Sequence, residues 1–297
     1  MSQNFKGIFA ALTTPFVGDE ISTEKLKENI LKYNSTDLAG YVVLGTTGES
    51  IYLTDDESEK LARAVKEVAS NGKKIIVGTG RESTKITLEF TNRMADLGID
   101  AVLIRTPSYF KARMDREALR KHYLTIADQS KAPVLIYHIP QITGLSIDPE
   151  LIIELSTHPN IIGMKNSSGY LGFLGEVKSQ LAPDFDYLLG AGGVIFLGLT
   201  LGASGGILRL AAVAPAECVK LYNLCIEEKL DEARKLQLNL VPVNKAIIQT
   251  FAIPGTKYAL DLCGYYGGPS RLPLLPIDEE GKKEMERILK ESGLLPH

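Results

Sequence analysis

Eight short apolar runs recur along the chain with longer stretches of helical period between them, and this alternation restricts the possible folds more than any other feature. The runs are GIFAALTTP (7–15), AGYVVLGTTG (39–48), KIIVGTG (74–80), AVLIRTP (101–107), PVLIYHIP (133–140), IIGMKNSSG (161–169), DYLLGAGG (186–193) and ASGGILRLA (203–211). Each has strand length and β-branched content. Strands that alternate with helices run parallel, and runs apolar at nearly every position are buried on both faces. A closed (β/α)8 barrel of the TIM type meets both demands, and 297 residues suit one barrel with an added terminal segment. An open doubly wound sheet is the alternative, but no G-x-G-x-x-G follows the first run, so a dinucleotide fold lacks its main signature.

The barrel is predicted over residues 1–212, with C-terminal helices over 213–297 packed on it as part of the same unit. VAPAECVKLYNLCIEEKLDEARKLQLNLVPVNKAIIQT reads as two or three helices punctuated by Pro215 and Pro242, and IPGTKYALDLCGYYGGP as another ended by Gly264. Formal charge is close to balanced, 33 basic against 36 acidic residues, so nothing marks a nucleic-acid or anionic-membrane surface. Small molecules or copies of the same chain are the expected partners. The opening MSQNFKGIFAALTTPF is too short for a membrane span and lacks a signal-cleavage pattern. Cys218, Cys225 and Cys263 have no metal-ligand spacing and, being odd in number, no disulfide framework, which points to a reducing, cytoplasmic setting.

In such a barrel the carboxyl ends of the strands carry the chemistry. Lys165 stands out there: period-two alternation puts Ile161, Gly163 and Lys165 on one side of the sixth run. If that side is the interior, desolvation disfavours the ammonium and supplies a neutral amine able to attack a ketone. A lysine reaching solvent from a strand end would give the same local pattern. Tyr137 ends the fifth run, shares a face with Leu135 and Ile139, and is one crossover from Lys165, so its phenol could pass protons beside an imine. A core tyrosine bonded to backbone is the other reading. The Gly45-Thr46-Thr47-Gly48-Glu49 loop lies across the barrel mouth. Its glycines are expected to turn the backbone sharply and aim successive N–H groups at a small anion, with the threonine hydroxyls as further donors. Gly-Thr-Thr-Gly also suits an ordinary turn.

GTTGE (45–49), YHIP (137–140), GMKNSSG (163–169) and GASGGI (202–207), in that order, resemble the pyruvate-dependent class I aldolases of the dihydrodipicolinate synthase and N-acetylneuraminate lyase superfamily, over nearly the whole chain. The resemblance implies a (β/α)8 barrel with C-terminal helices, usually tetrameric, with no metal or organic cofactor. It also implies pyruvate held as a Schiff base on Lys165, Tyr137 as acid and base, and Thr46 and Thr47 on the pyruvate carboxylate, with Thr46 relaying protons to Tyr137. Tyr109 matches a tyrosine donated to the neighbouring subunit's site, and the Ile207 carbonyl borders the pocket.

Within the superfamily, dihydrodipicolinate synthases place an arginine where this chain has Ile142, and N-acetylneuraminate lyases place an acidic pair after the seventh strand where it reads Gly190-Ala191-Gly192-Gly193. GTGREST (78–84), TPSYFKARM (106–114), TGLSI (143–147), HPNIIGMK (158–165) and FAIPGTKYALDLCGYYGGPSRLPL (251–274) are most similar to 4-hydroxy-2-oxoglutarate aldolases, although those typically carry Gly-Ser-Asn-Gly-Glu in the strand-2 loop. The expectation is therefore reversible cleavage of a 4-hydroxy-2-oxo acid, first 4-hydroxy-2-oxoglutarate, to pyruvate and an aldehyde. A 2-keto-3-deoxy sugar-acid aldolase, a dihydrodipicolinate synthase, a non-catalytic pyruvate-binding relative and a phosphate cradle at GASGGI remain as alternatives. Arg209, two residues after Ile207 on the same face, is expected to meet the distal acid of the substrate; a rim arginine paired with a surface acid is the competing reading.

Overall fold

The computed structural model describes residues 5–296. Eight parallel strands close into a barrel: β1 (Gly7–Ala11), β2 (Gly40–Val43), β3 (Lys74–Gly78), β4 (Ala101–Arg105), β5 (Val134–His138), β6 (Ile161–Asn166), β7 (Asp186–Leu189) and β8 (Gly205–Leu208). Every one falls inside an apolar run singled out from sequence. A two-stranded hairpin, Phe16–Val17 with Glu20–Ile21, follows β1 and was not legible in advance.

Helices alternate with the strands: α1 (Thr23–Asn34), α2 (Asp55–Val68), α3 (Thr84–Ala95), α4 (Arg116–Gln129), α5 (Pro149–Ser156), α6 (Leu171–Val177) and α7 (Ile195–Thr200), with α8 (Pro215–Ile226) lying against β1 and α7 to complete the ring. Side chains start them where the backbone needs a partner. Thr54 and Glu57 form a reciprocal capping box on α2, and Ser22, Ser83, Asp115 and Asp148 each accept a first-turn N–H of α1, α3, α4 and α5.

Two apolar layers result. Phe9, Val42, Ile76, Leu103, Leu135, Leu188 and Ile207 belong to the cluster that fills the barrel, while the opposite faces of the strands pack on the helices. Leu135, Tyr137 and Ile139 share the inner cluster, as alternation predicts. The expected face of β6 is corrected: the register with β5 slips between Val134 and Leu135, so Ile161 packs with the outer layer and Ile162 against the inner one. A bulge inserts one residue and re-aims everything after it.

Beyond α8 come α9 (Leu230–Lys245), a π-turn over Ala246–Thr250, α10 (Ala252–Leu262) and α11 (Glu279–Glu291). Pro242 does not separate two helices as expected but sits inside α9. The carbonyl it cannot bond belongs to Leu238, an exposed residue, so water can satisfy it. The break falls instead at the π-turn, where Ala252 takes φ 49°. Gly264, at φ 83°, follows the end of α10. No helix among the described residues is long and apolar enough to cross a membrane.

Candidate active site

Parallel pairing sets Tyr137 of β5 beside Lys165 of β6, each 5% exposed, with the lysine Nζ 4.4 Å from the centre of the phenol ring. The Tyr137 hydroxyl lies 3.4 Å from Thr46 Oγ1. Burial alone would raise the pKa of that phenol, but the adjacent Lys165 charge and hydrogen bonding with Thr46, Ser167 and Lys165 outweigh it and hold the pKa below its ordinary value. A phenol so tuned gives up and recovers a proton more readily near neutral pH.

Thr46 and Thr47 open a 3-10 turn, Thr46–Gly48, whose own hydrogen bonds begin with Gly48 N–H to Gly45 C=O, leaving the two threonine amides uncommitted by the turn. The glycines do not make the sharp reversal, contrary to expectation. Gly45 has φ −78°, and the left-handed residues are Leu44 (φ 61°) and Glu49 (φ 53°), which bracket the loop. Packing holds this strained backbone. Glu49 is fully buried, 2.6 Å from the equally buried Lys257 ammonium of α10, and accepts the Arg271 N–H at 3.0 Å.

Thr46, Thr47, Tyr137, Lys165 and Arg209 converge on a cavity of about 330 Å³ at the carboxyl ends of the strands. A second cavity of about 390 Å³ adjoins it, sharing Thr46, Tyr137 and Ile142. Ile142 stands 62% exposed at the common rim and offers no charge. Gly190 gives the lysine its room, since a Cβ there would lie 3.0 Å from Lys165 Cε and 1.9 Å from Ser167 Oγ. Arg209 donates from Nε to Thr47 Oγ1 (3.3 Å) and from Nη1 to the Ile247 carbonyl (2.7 Å), and burial pulls its guanidinium down to about 10, still charged at neutral pH.

Ile207 is fully buried in the barrel interior and its side chain does not line the cavity. Tyr109 also lies outside it: 79% exposed after β4, edge-on to Phe110 at 5.0 Å, with its N–H held by Glu82 at 2.9 Å. Sequence reasoning missed Ser167, Asn244 and Gln249, all of which line the cavity. Ser167 could have been found, being two residues beyond Lys165; Asn244 and Gln249 arrive from the far C-terminal segment and carried no local signal. No group of three or more His, Cys, Asp or Glu side chains comes together as a metal-ligand set among the described residues.

A model of the Dihydrodipicolinate synthetase family matches residues 4–292. The chain is 33% identical, over 98% of its length and all of the relative's, to a 4-hydroxy-tetrahydrodipicolinate synthase of Methanocaldococcus jannaschii. It is 34% identical, with the same coverage, to the enzyme of that name from Geobacter sulfurreducens. Among solved structures it superposes on dihydrodipicolinate synthase of Thermotoga maritima with TM-score 0.93 at 31% identity, covering 99% of this chain and 100% of that one. On the chloride-inhibited synthase of Acinetobacter baumannii complexed with pyruvate the TM-score is 0.90 at 26% identity, covering 98% and 99%.

Proposed function

The chain belongs to the dihydrodipicolinate synthetase family of pyruvate-dependent enzymes of the lyase and aldolase type, and from that premise we propose that Lys165 binds pyruvate as a Schiff base and makes or breaks the bond between pyruvate C3 and an aldehyde carbon. The observation that carries this reading is the buried Lys165 Nζ, 4.4 Å from the ring of Tyr137, whose hydroxyl is within reach of Thr46.

In the proposed sequence the Lys165 amine attacks the pyruvate ketone, and the carbinolamine expels water with a proton from Tyr137. The iminium draws electrons from C3, which loses a proton to the Tyr137 phenolate to give the enamine. C3 then attacks the aldehyde carbon while Tyr137, relayed through Thr46, protonates the new alkoxide. Water returns to hydrolyse the iminium, freeing product and lysine, and the reverse order cleaves a 4-hydroxy-2-oxo acid. Thr46 and Thr47 hold the pyruvate carboxylate throughout. Tyr109 completes the relay of a neighbouring subunit in a homo-oligomer, which accounts for a solvent-facing tyrosine beside Phe110. A cytoplasmic location fits the three free thiols.

The relatives' name favours synthesis of 4-hydroxy-tetrahydrodipicolinate over the expected cleavage of 4-hydroxy-2-oxoglutarate. Removing the pyruvate carbons from that product leaves a four-carbon α-amino acid ending in an aldehyde. Cleavage of 4-hydroxy-2-oxoglutarate stays as the second reading on one observation, the uncharged Ile142 at the cavity rim.

Borohydride reduction with pyruvate, followed by mass spectrometry, tests the chemistry: the adduct is expected on Lys165 and absent in Lys165→Ala. Tyr137→Phe is expected to slow turnover by about 10²- to 10⁴-fold while still forming the adduct slowly. A Lys165→Ala protein that turns over at near the original rate refutes the Schiff base. Parallel assays of pyruvate with the α-amino aldehyde, and of glyoxylate release from 4-hydroxy-2-oxoglutarate, separate the two substrates.

A further inference from the structure

Arg209 is a half-buried cation in the cavity for which the described residues supply no carboxylate. Its two hydrogen bonds go to neutral oxygens, on Thr47 and Ile247. A partly desolvated charge that meets only neutral acceptors is better compensated when an anion arrives with the ligand.

A second observation lies on the same wall. Asn244 Oδ1 is buried without a hydrogen-bond partner. It occupies space that any side chain at Gly192 or Gly193 would need: a Cβ there would fall 2.7 Å from the Asn244 Oδ1 and 3.1 Å from its Nδ2. The C-terminal segment builds both features. Asn244 ends α9, and the next turn is π-wound, with Phe251 N–H reaching Ala246 C=O. The Ile247 carbonyl in that turn takes Arg209 Nη1 and Thr256 Oγ1.

We propose that Arg209 and Asn244 form the subsite for the aldehyde partner's polar end. Arg209 receives its carboxylate, and Asn244 its neighbouring amino or hydroxyl group. The inference rests on the Schiff-base reading and adds the residues that take the acid of the second substrate, with the charge that Ile142 cannot supply coming from Arg209, just beyond β8. The Gly192-Gly193 pair offers no carboxylates to a polyol chain, so a long neutral sugar aldehyde is disfavoured.

The test compares the full-length protein with Arg209→Leu, Arg209→Lys and Arg209→Gln; the Gln variant keeps a donor for the Ile247 carbonyl if Leu fails to fold. Two quantities are read: the pyruvate concentration giving half-maximal borohydride trapping, and KM for acid-bearing aldehydes against neutral ones, with glyoxylate and glycolaldehyde as a simple pair. Loss of the guanidinium is expected to raise KM for the acid-bearing aldehyde about a hundredfold, with the neutral aldehyde and the pyruvate half-point changing by about threefold or less, and Lys restoring part of the loss. A pyruvate half-point that rises as much as the aldehyde KM overturns the proposal, placing Arg209 on the pyruvate carboxylate through Thr47. Unchanged selectivity between the two aldehydes overturns it as well. Absence of any pyruvate adduct in the unaltered protein is the separate failure of the Schiff-base reading, and the subsite falls with it.

Discussion

Replacing Lys257 by Met leaves the Glu49 carboxylate buried under the strand-2 loop with the Arg271 N–H as its remaining close donor. The two side chains are 1% and 0% exposed and 2.6 Å apart, while the lysine also donates to the Pro269 carbonyl at 2.6 Å and lies 4.5 Å over the Phe16 ring. Burial pulls the Lys257 ammonium below its usual range and Glu49 pulls it back up, so neither charge is comfortable without the other. Breaking a buried pair by removing one member costs about 3–5 kcal/mol. With an unfolding entropy of about 2.1 cal/mol/K per residue, a chain of 297 residues loses about 5–8 °C of Tm for that change. Glu49→Gln alone should also destabilise, because it strands the ammonium. The double variant should recover much of the loss, since no buried charge remains, giving a coupling of about 2–3 kcal/mol in urea unfolding. Because Glu49 follows Thr46 and Thr47 so closely, the stable double variant should still need more pyruvate for half-maximal trapping. A Lys257→Met protein that melts within about 1 °C of the original, or a cycle without coupling, would refute the reasoning.

Gly190→Ala should cut pyruvate trapping far more than stability. Rotating Ser167 relieves one clash, but the new methyl stays 2.9 Å from Ser167 Cβ and 3.0 Å from Lys165 Cε, so normal trapping would show that the strand ends yield easily. On the proposed shared site, Tyr109→Phe should slow turnover, and mixing it with Lys165→Ala subunits should regain activity; sedimentation showing a fully active monomer counts against a shared site. His122 and His138 are both pushed down to about 4 by burial, so the unfolded chain binds protons that the folded one refuses between pH 6.5 and 4. Stability should therefore fall as pH drops through that window, by on the order of 3 kcal/mol for each histidine at its lower end, and a urea midpoint that stays flat from pH 7 to 4 would contradict it.

The sequence by itself determined the barrel and the adjacency of Tyr137 and Lys165 in its candidate site. Eight apolar runs separated by helical stretches fix parallel strands buried on both faces, and alternation along β5 puts Leu135, Tyr137 and Ile139 inside. These are local rules: side-chain direction follows from covalent geometry and repeats every two residues. Where a neighbour intervenes, the rule breaks, as in β6, whose slipped register sends Ile161 outward while Lys165 still faces the cavity. The loop that carries Thr46 and Thr47 was legible as a motif, but its left-handed turns fall on Leu44 and Glu49, the second of them held by the buried Lys257 and the Arg271 N–H. The far wall was hidden altogether. Asn244 and Gln249 reach the cavity, and the Ile247 carbonyl reaches Arg209, only once α9 and the π-turn pack over the barrel mouth. Contacts between segments so distant in sequence depend on how whole layers pack, and no local period records them.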